Sequence, residues 1–300
     1  MAGVKMSKMP GRFIAGGAAA LLLSISLVAQ SNERIAYVSA WDAKTRAPLT
    51  GLGTDAFVVR EDGVRREVLR VTPATTPMAV AILVDNSQAA RDNIADIRRA
   101  LTTFVRELEG VGPVAIVGVA DRPTILRDYT TSQKELLDGV GKVFAMPDSG
   151  ATLLDAIVEI SRGLEKRTED RAAMVVLTTE NTEFSTRHYS EVLEGLAKGG
   201  AMLHTVVLTS PNGSSLNDAA RNRASVLDRG PRESGGTRAD VLASQAFELK
   251  LKELAAILKS QHRVAYSRPQ QLIPPQKIEI TSAKEGVEAN GAPARGQAAR

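Results

Sequence analysis

The sequence predicts an α/β fold, a doubly wound and mostly parallel sheet preceded by a small all-β module. Three observations carry that expectation. First, a continuous apolar run of strand length at residues 78–84 (MAVAILV) is followed by further largely apolar runs at 114–120 (VAIVGVA), 172–178 (AAMVVLT) and 201–208 (AMLHTVVL). A strand without polar alternation must be covered on both faces, as strands of parallel sheets are. Second, helical spacing falls between these runs, as in Ile94, Ile97, Leu101, Phe104, Val105 and Leu108. Alternating strands and helices give a parallel sheet with helices on both faces and right-handed crossovers. Third, the pattern before residue 78 is different. The β-prone runs 57–60 and 66–71 flank Glu61-Asp62-Gly63, a hairpin signal.

Taken in order, the chain opens with Lys5, Lys8 and Arg12 ahead of a charge-free apolar run, Phe13 to Ala29. Basic, then apolar, then small at the exit is the layout of a signal peptide, so residues 1–29 are expected to be removed after export. The run contains Gly16 and Gly17 and is short for a span of about 20 residues. Kept in place, it would be the membrane contact of the chain. The expected location is periplasmic, secreted or attached to the cell envelope. Residues 31–72 form the small β module, too few for a large core of their own, so they should pack on the larger domain C-terminal to them. Pro73 to Pro77 is a linker. The main domain is expected over 77–282. Within it, 124–129 is an edge strand, and Ser132 with Glu135 makes a capping box that opens a helix to Val143. A helix runs from Thr152 through Leu153, Leu154, Ile157 and Ile160. Another spans 190–198 and stops at Gly199-Gly200. Residues 211–238, polar and without a clear period, are expected to be an insertion loop. Residues 239–259 are a long helix, and 264–266 and 277–281 are late strands. The Gly-, Ala- and charge-rich stretch 283–300 is expected to be a flexible tail.

Composition narrows the function. There are 38 basic and 34 acidic residues, a net +4, and loss of residues 1–29 leaves about +1. No general affinity for polyanions needs explaining, so nucleic acid is not expected as a partner. Cysteine is absent, which removes disulfides, thiolate metal sites and cysteine nucleophiles. Three histidines leave little for a zinc site. His204 and His262 lie in or beside apolar strands and are expected to be structural, and His188 starts a helix. Gly139-Val140-Gly141-Lys142 has a fragment of a phosphate-loop pattern but sits at a helix end. No G-x-G-x-x-G follows the first main strand, and no G-x-S-x-G occurs. Asn212-Gly213-Ser214 is a glycosylation sequon of the kind chance supplies in a polar loop. Arg221, Arg223, Arg229, Arg232 and Arg238 make the 211–238 segment basic, and are read as a solvated surface in preference to a site for an anionic partner.

In such sheets ligands bind beyond the carboxyl ends of the strands, where the strand order reverses. Three loops gather there: Asp85-Asn86-Ser87-Gln88-Ala89, Asp148-Ser149-Gly150-Ala151-Thr152, and Thr178-Thr179-Glu180-Asn181-Thr182-Glu183. They offer carboxylates and hydroxyls, ligands that suit Mg²⁺, Mn²⁺ or Ca²⁺. Val84-Asp85-Asn86-Ser87 resembles the start of the D-x-S-x-S motif of the von Willebrand factor A family. Residues 150–156 (GATLLDA) resemble that family's G-x-T segment, and Val175-Val176-Leu177-Thr178 the strand leading to its T-D-G loop. Leu52, Phe57, Val59 and Glu61-Asp62-Gly63 resemble the β lead-in of an exported bacterial branch. The resemblance covers roughly 34–282 and implies a Rossmann-like domain with a metal-ion-dependent adhesion site. It carries over Asp85, Ser87 and Thr152 as metal ligands. Two positions depart: the second serine is Ala89, and the T-D-G aspartate and glycine are Thr179 and Glu180. The resemblance therefore implies a degenerate site with no cofactor, or with Mg²⁺, Mn²⁺ or Ca²⁺ held weakly. Thr179→Asp with Ala89→Ser should raise affinity by about an order of magnitude or more. Glu180 and Glu183 are the residues at hand to replace the lost carboxylate.

The expected function is an exported, non-enzymatic binding module that docks another protein, in interaction or adhesion, through the rim of the sheet. No catalytic residue is assigned. The alternative is a metal-assisted enzyme on the same rim, with Asp85 and Glu180 as acid and base.

Overall fold

The computed structural model describes residues 1–3, 33–180, 182–209, 217–269, 275 and 277–296. Of the segment read as a signal only Met1–Gly3 fall within this set, exposed and without regular structure, and the 212–214 sequon lies outside it. The strands are β1 (Glu33–Asp42), β2 (Phe57–Glu61), β3 (Val64–Arg66), β4 (Val68–Pro73), β5 (Met78–Asp85), β6 (Val114–Val119), β7 (Pro123–Thr130), β8 (Arg171–Thr179), β9 (Met202–Leu208), β10 (Arg238–Val241), β11 (His262–Ser267), β12 (Ile278–Ser282) and β13 (Val287–Pro293). The helices are α1 (Ile94–Glu107), α2 (Gln133–Gly141), α3 (Leu153–Glu165), α4 (Tyr189–Gly199), α5 (Asp218–Ser234) and α6 (Ala246–Lys259). No described helix is long and apolar enough to cross a membrane.

The apolar runs become a six-stranded sheet in the order β10-β9-β8-β5-β6-β7, parallel except for the antiparallel edge strand β7. Every residue of β5 and of β8 is buried. Side chains alternate across a strand, so each run feeds two cores. Met78, Val80, Ile82 and Val84 pack with Leu101 and Phe104 of α1 and Phe247, Leu251 and Leu258 of α6. Ala79, Ala81 and Leu83 pack with Leu154 and Ile157 of α3, Val192 and Leu196 of α4, and Val226 of α5. The strand order reverses between β5 and β8, which places the switch point at Asp85 and Thr179.

The β module draws on both ends of the described chain. One antiparallel sheet runs β13-β1-β11-β4 and a second runs β12-β2-β3. Ala36, Val38, Ala40, Phe57, Val59, Val264, Tyr266 and Ile280 fill the core between them. The other face of β1 turns toward the main sheet. Tyr37 Oη meets Thr76 Oγ1 at 3.0 Å, and Gln261 Nε2 donates to Ser39 Oγ at 3.2 Å. Arg171 at the start of β8 donates through Nε to the Thr76 carbonyl and stands over the Tyr37 ring.

Three expectations are corrected here. Residues 283–300, read as a tail, contain β13, paired with β1 over seven positions from Ala36↔Pro293 to Asp42↔Val287. The glycine that made this stretch look unstructured is what permits the pairing: a Cβ on Gly291 would collide with the Tyr37 carbonyl oxygen. Beyond β13 the Arg295 guanidinium donates to the Gly199, Glu169 and Leu164 carbonyls. The insertion loop over 211–238 holds α5 within its described part. Gly230-Pro231 near its end and many Arg, Asn and Ser residues conceal it. Burial of Ala220, Val226 and Leu227 overrides the local propensity. The long helix expected from 239 begins at Ala246, after edge strand β10.

Candidate functional site

Asp85 ends β5 at the switch point and is 2% exposed. Its Oδ1 accepts from Ser87 N at 3.0 Å and Ser87 Oγ at 2.7 Å. That is an Asx-type turn, in which an acidic side chain satisfies the backbone two residues on. Its Oδ2 accepts from Thr179 N at 3.1 Å and Thr179 Oγ1 at 2.8 Å, with Thr178 Oγ1 at 3.2 Å. Two loops far apart in sequence are thus tied to one carboxylate. Thr179, which stands where the resembling family carries an acid, uses its hydroxyl as a donor to Asp85.

Thr152 reaches the same rim ahead of α3, but its hydroxyl donates to the Ala120 carbonyl at 2.8 Å. Ala89 is exposed. Glu183 is buried beneath the loop after β8, where Oε1 accepts from Ser185 N at 3.1 Å. Facing it is Arg223 of α5, 4% exposed. Arg223 Nη2 donates to Thr178 Oγ1 at 2.8 Å and to the Thr179 carbonyl at 2.6 Å. Its Nε lies 3.6 Å from Glu183 Oε2. Burial pushes Glu183 above the usual carboxylate range and Arg223 below the usual guanidinium value; each charge opposes the other's shift. Arg223 remains a cation, as arginine does in proteins.

This donor set does not fit a divalent ion. Both Asp85 oxygens are engaged by protein N–H and O–H groups. The Thr152 hydroxyl hydrogen-bonds at Ala120, and a guanidinium lies one hydroxyl group away. Among the described residues no three acidic or histidine side chains gather as a ligand set. Asp85 and Ser87 are brought together as the sequence suggested, while Thr152 shares the rim without bonding to either in the described contacts. Arg223 does not stand out from its basic neighbours in the sequence. The other four pair with acids: Arg221 with Asp218, Arg229 with Glu233, Arg232 with Asp228 and Arg238 with Asp240.

Around this buried centre the rim carries three exposed apolar side chains. Phe144 is 59% exposed, Met146 50% and Phe184 55%. They are held in place by the loops that carry them. Asn86 Nδ2 donates to the Phe144 carbonyl at 3.1 Å, and Met146 N donates to the Asn86 carbonyl at 2.8 Å. Gly118 makes room for Asn86, since a Cβ there would lie 2.9 Å from Asn86 Oδ1. The Arg98 guanidinium stacks 3.9 Å over the Phe144 ring. Phe184 N donates to the Ala151 carbonyl at 2.8 Å, and the Phe184 ring covers Gly150. A cavity of about 1250 Å³ lies elsewhere, between α4, the end of α5 and strands β12 and β13. Its carboxylates, Glu233, Glu279 and Glu288, are each paired with a cation.

A mostly parallel sheet with an acidic residue at its switch point, a hydroxyl two residues on and a threonine opening the helix before β8 defines a doubly wound α/β domain whose candidate site lies at the carboxyl ends of the strands. Residues 80–181 match the family model of the von Willebrand factor type A domain. Solved structures of similar fold include the conserved hypothetical protein BatB from Bacteroides thetaiotaomicron, at 15% identity over 61% of this chain and 100% of that one, TM-score 0.48. A von Willebrand factor type A protein from Catenulispora acidiphila is 9% identical over 88% of this chain and 72% of that one, TM-score 0.48. The PilB minor pilin from Streptococcus sanguinis is 11% identical over 62% of each chain, TM-score 0.46. No curated protein matches by sequence.

Proposed function

We propose that this chain is an exported, non-enzymatic binding module that docks another protein on the rim of its parallel sheet, without needing a divalent ion. The observation that supports it best is the trio Phe144, Met146 and Phe184, left half in water by loops that are themselves pinned by hydrogen bonds. Exposed apolar side chains on a rigid frame are what a docking surface offers, because little ordering entropy is lost on binding. The acid–base alternative has less to support it. A general base must present an oxygen to its substrate, and both Asp85 oxygens face protein donors. Export rests on residues 1–29 and is tested by the intact mass of protein recovered from the envelope; a chain retaining Met1 to Ala29 would argue for an anchor.

Docking is tested with the protein lacking residues 1–29, immobilised and exposed to envelope extract. The retained partner should survive chelator and be lost about tenfold or more from Phe144→Ser/Phe184→Ser, since two apolar anchors each contribute more than ~1 kcal/mol in a typical interface. The double variant should melt like the unaltered protein. Equal retention by the variant would remove the rim from the interface.

A further inference from the structure

We infer that Arg223 is the resident cation of this rim: a guanidinium carried by α5 faces the buried Glu183 directly and the buried Asp85 through Thr178, in the place of the divalent ion that the family's motif implies. This stands apart from the docking reading and concerns how the loops are held.

Two carboxylates lie buried within one loop cluster, at 2% and 3% exposure. Acids taken out of water need a compensating positive charge or a dense set of donors. Asp85 has the donors, and the guanidinium reaches it through Thr178 Oγ1, which accepts from Arg223 at 2.8 Å and stands 3.2 Å from Asp85 Oδ2. Glu183 has the charge, 3.6 Å from Arg223 Nε, and neither of those two atoms has a hydrogen-bond partner among the described residues. The Thr179 carbonyl, at 2.6 Å, closes the ring of contacts. One side chain therefore touches the end of β8, at Thr178 and Thr179, and Glu183 in the loop that follows. It also repels any cation that approaches. The substitution is internally consistent. With Thr179 in place of an acid, Asp85 is the one carboxylate left at the positions the family uses for ligands, so a divalent ion there would face a single negative charge. Helix α5 presents Arg223 inward with Ala220 and Val226, whereas Arg221, Arg229 and Arg232 form ion pairs within the helix.

The consequence is specific and reverses the expectation drawn from the motif alone. Thr179→Asp with Ala89→Ser, which restores the family's ligand types, should yield little Mn²⁺ binding while Arg223 remains, in place of the roughly tenfold gain the resemblance implied. Adding Arg223→Met should then raise Mn²⁺ affinity about tenfold or more over the double variant. The experiment is Mn²⁺ titration calorimetry on the unaltered protein, the double variant and the triple variant, with thermal unfolding of the unaltered protein, Arg223→Met and Arg223→Lys in chelator and in Mn²⁺. The unaltered protein should give no binding heat and the same unfolding midpoint in both. Arg223→Met should melt lower and recover part of the loss in Mn²⁺; Arg223→Lys should keep most of the midpoint and ignore the metal. Mn²⁺ binding by the unaltered protein, or by the double variant with Arg223 in place, overturns the inference whether or not Arg223→Met folds. So does an Arg223→Met variant that melts like the unaltered protein.

Discussion

Asp85 accepts from donors on two loops, so its removal leaves them without an acceptor in a buried place. Asp85→Ala is expected to cost about 3 kcal/mol, the cost of stranding several buried donors. Urea unfolding checks it, and an unchanged midpoint would mean the loops are held by other contacts. His204 belongs to the same scale. It lies in β9 with Nδ1 3.0 Å from Thr237 Oγ1, and burial pushes its pKa down to about 4. The unfolded chain takes up a proton near pH 6.5 that the native chain refuses. Stability is therefore full above the unfolded value and falls as pH drops through the window from about 6.5 to about 4, by on the order of 3 kcal/mol. Burial moves His262 in the same direction. His204→Gln should flatten the slope of stability against pH across that window; an unchanged slope would assign the loss to other groups.

At the scale of elements, the sequence is most legible where a strand is buried on both faces, because residues 78–84 and 172–178 cannot be mistaken for exposed segments. Asp85 and Ser87 are legible for the same reason, since they close and follow the first of these strands. Legibility fails where an element is completed by its neighbours. β13 has glycine and alanine where a strand usually carries bulk, and its conformation comes from β1. Gly291→Ala should cost about 2 kcal/mol, because its methyl would press on the Tyr37 carbonyl; a neutral effect in thermal unfolding would show that β13 can shift outward. α5 is hidden by Pro231 and by its arginines. Its buried positions Ala220, Arg223, Val226, Leu227 and Gly230 do follow helical spacing. The period appears once one arginine is counted as an inside residue, and composition alone gives no reason to choose Arg223 over Arg221.

Across the whole molecule, β1 is the piece on which the rest depends. It lies between β11 and β13, with one face in the module core and the other toward Arg171 and Gln261. Removing residues 33–72 should therefore lower the unfolding temperature of the remaining chain and expose the apolar side chains of β11. An unchanged midpoint would make the module a separate arm. The same placement sets an order of events during synthesis. β1 emerges early, yet its partners β11 and β13 come more than two hundred residues later. The strands of the parallel sheet and its helices all lie between Met78 and Lys259. Such a distant pairing is entropically slow to form. β1 must wait, its apolar side chains uncovered, until the last described strand has left the ribosome. A chain interrupted between Lys259 and Val287 carries a finished rim on an unfinished base, and only one that has reached β13 can complete the pairing of β1.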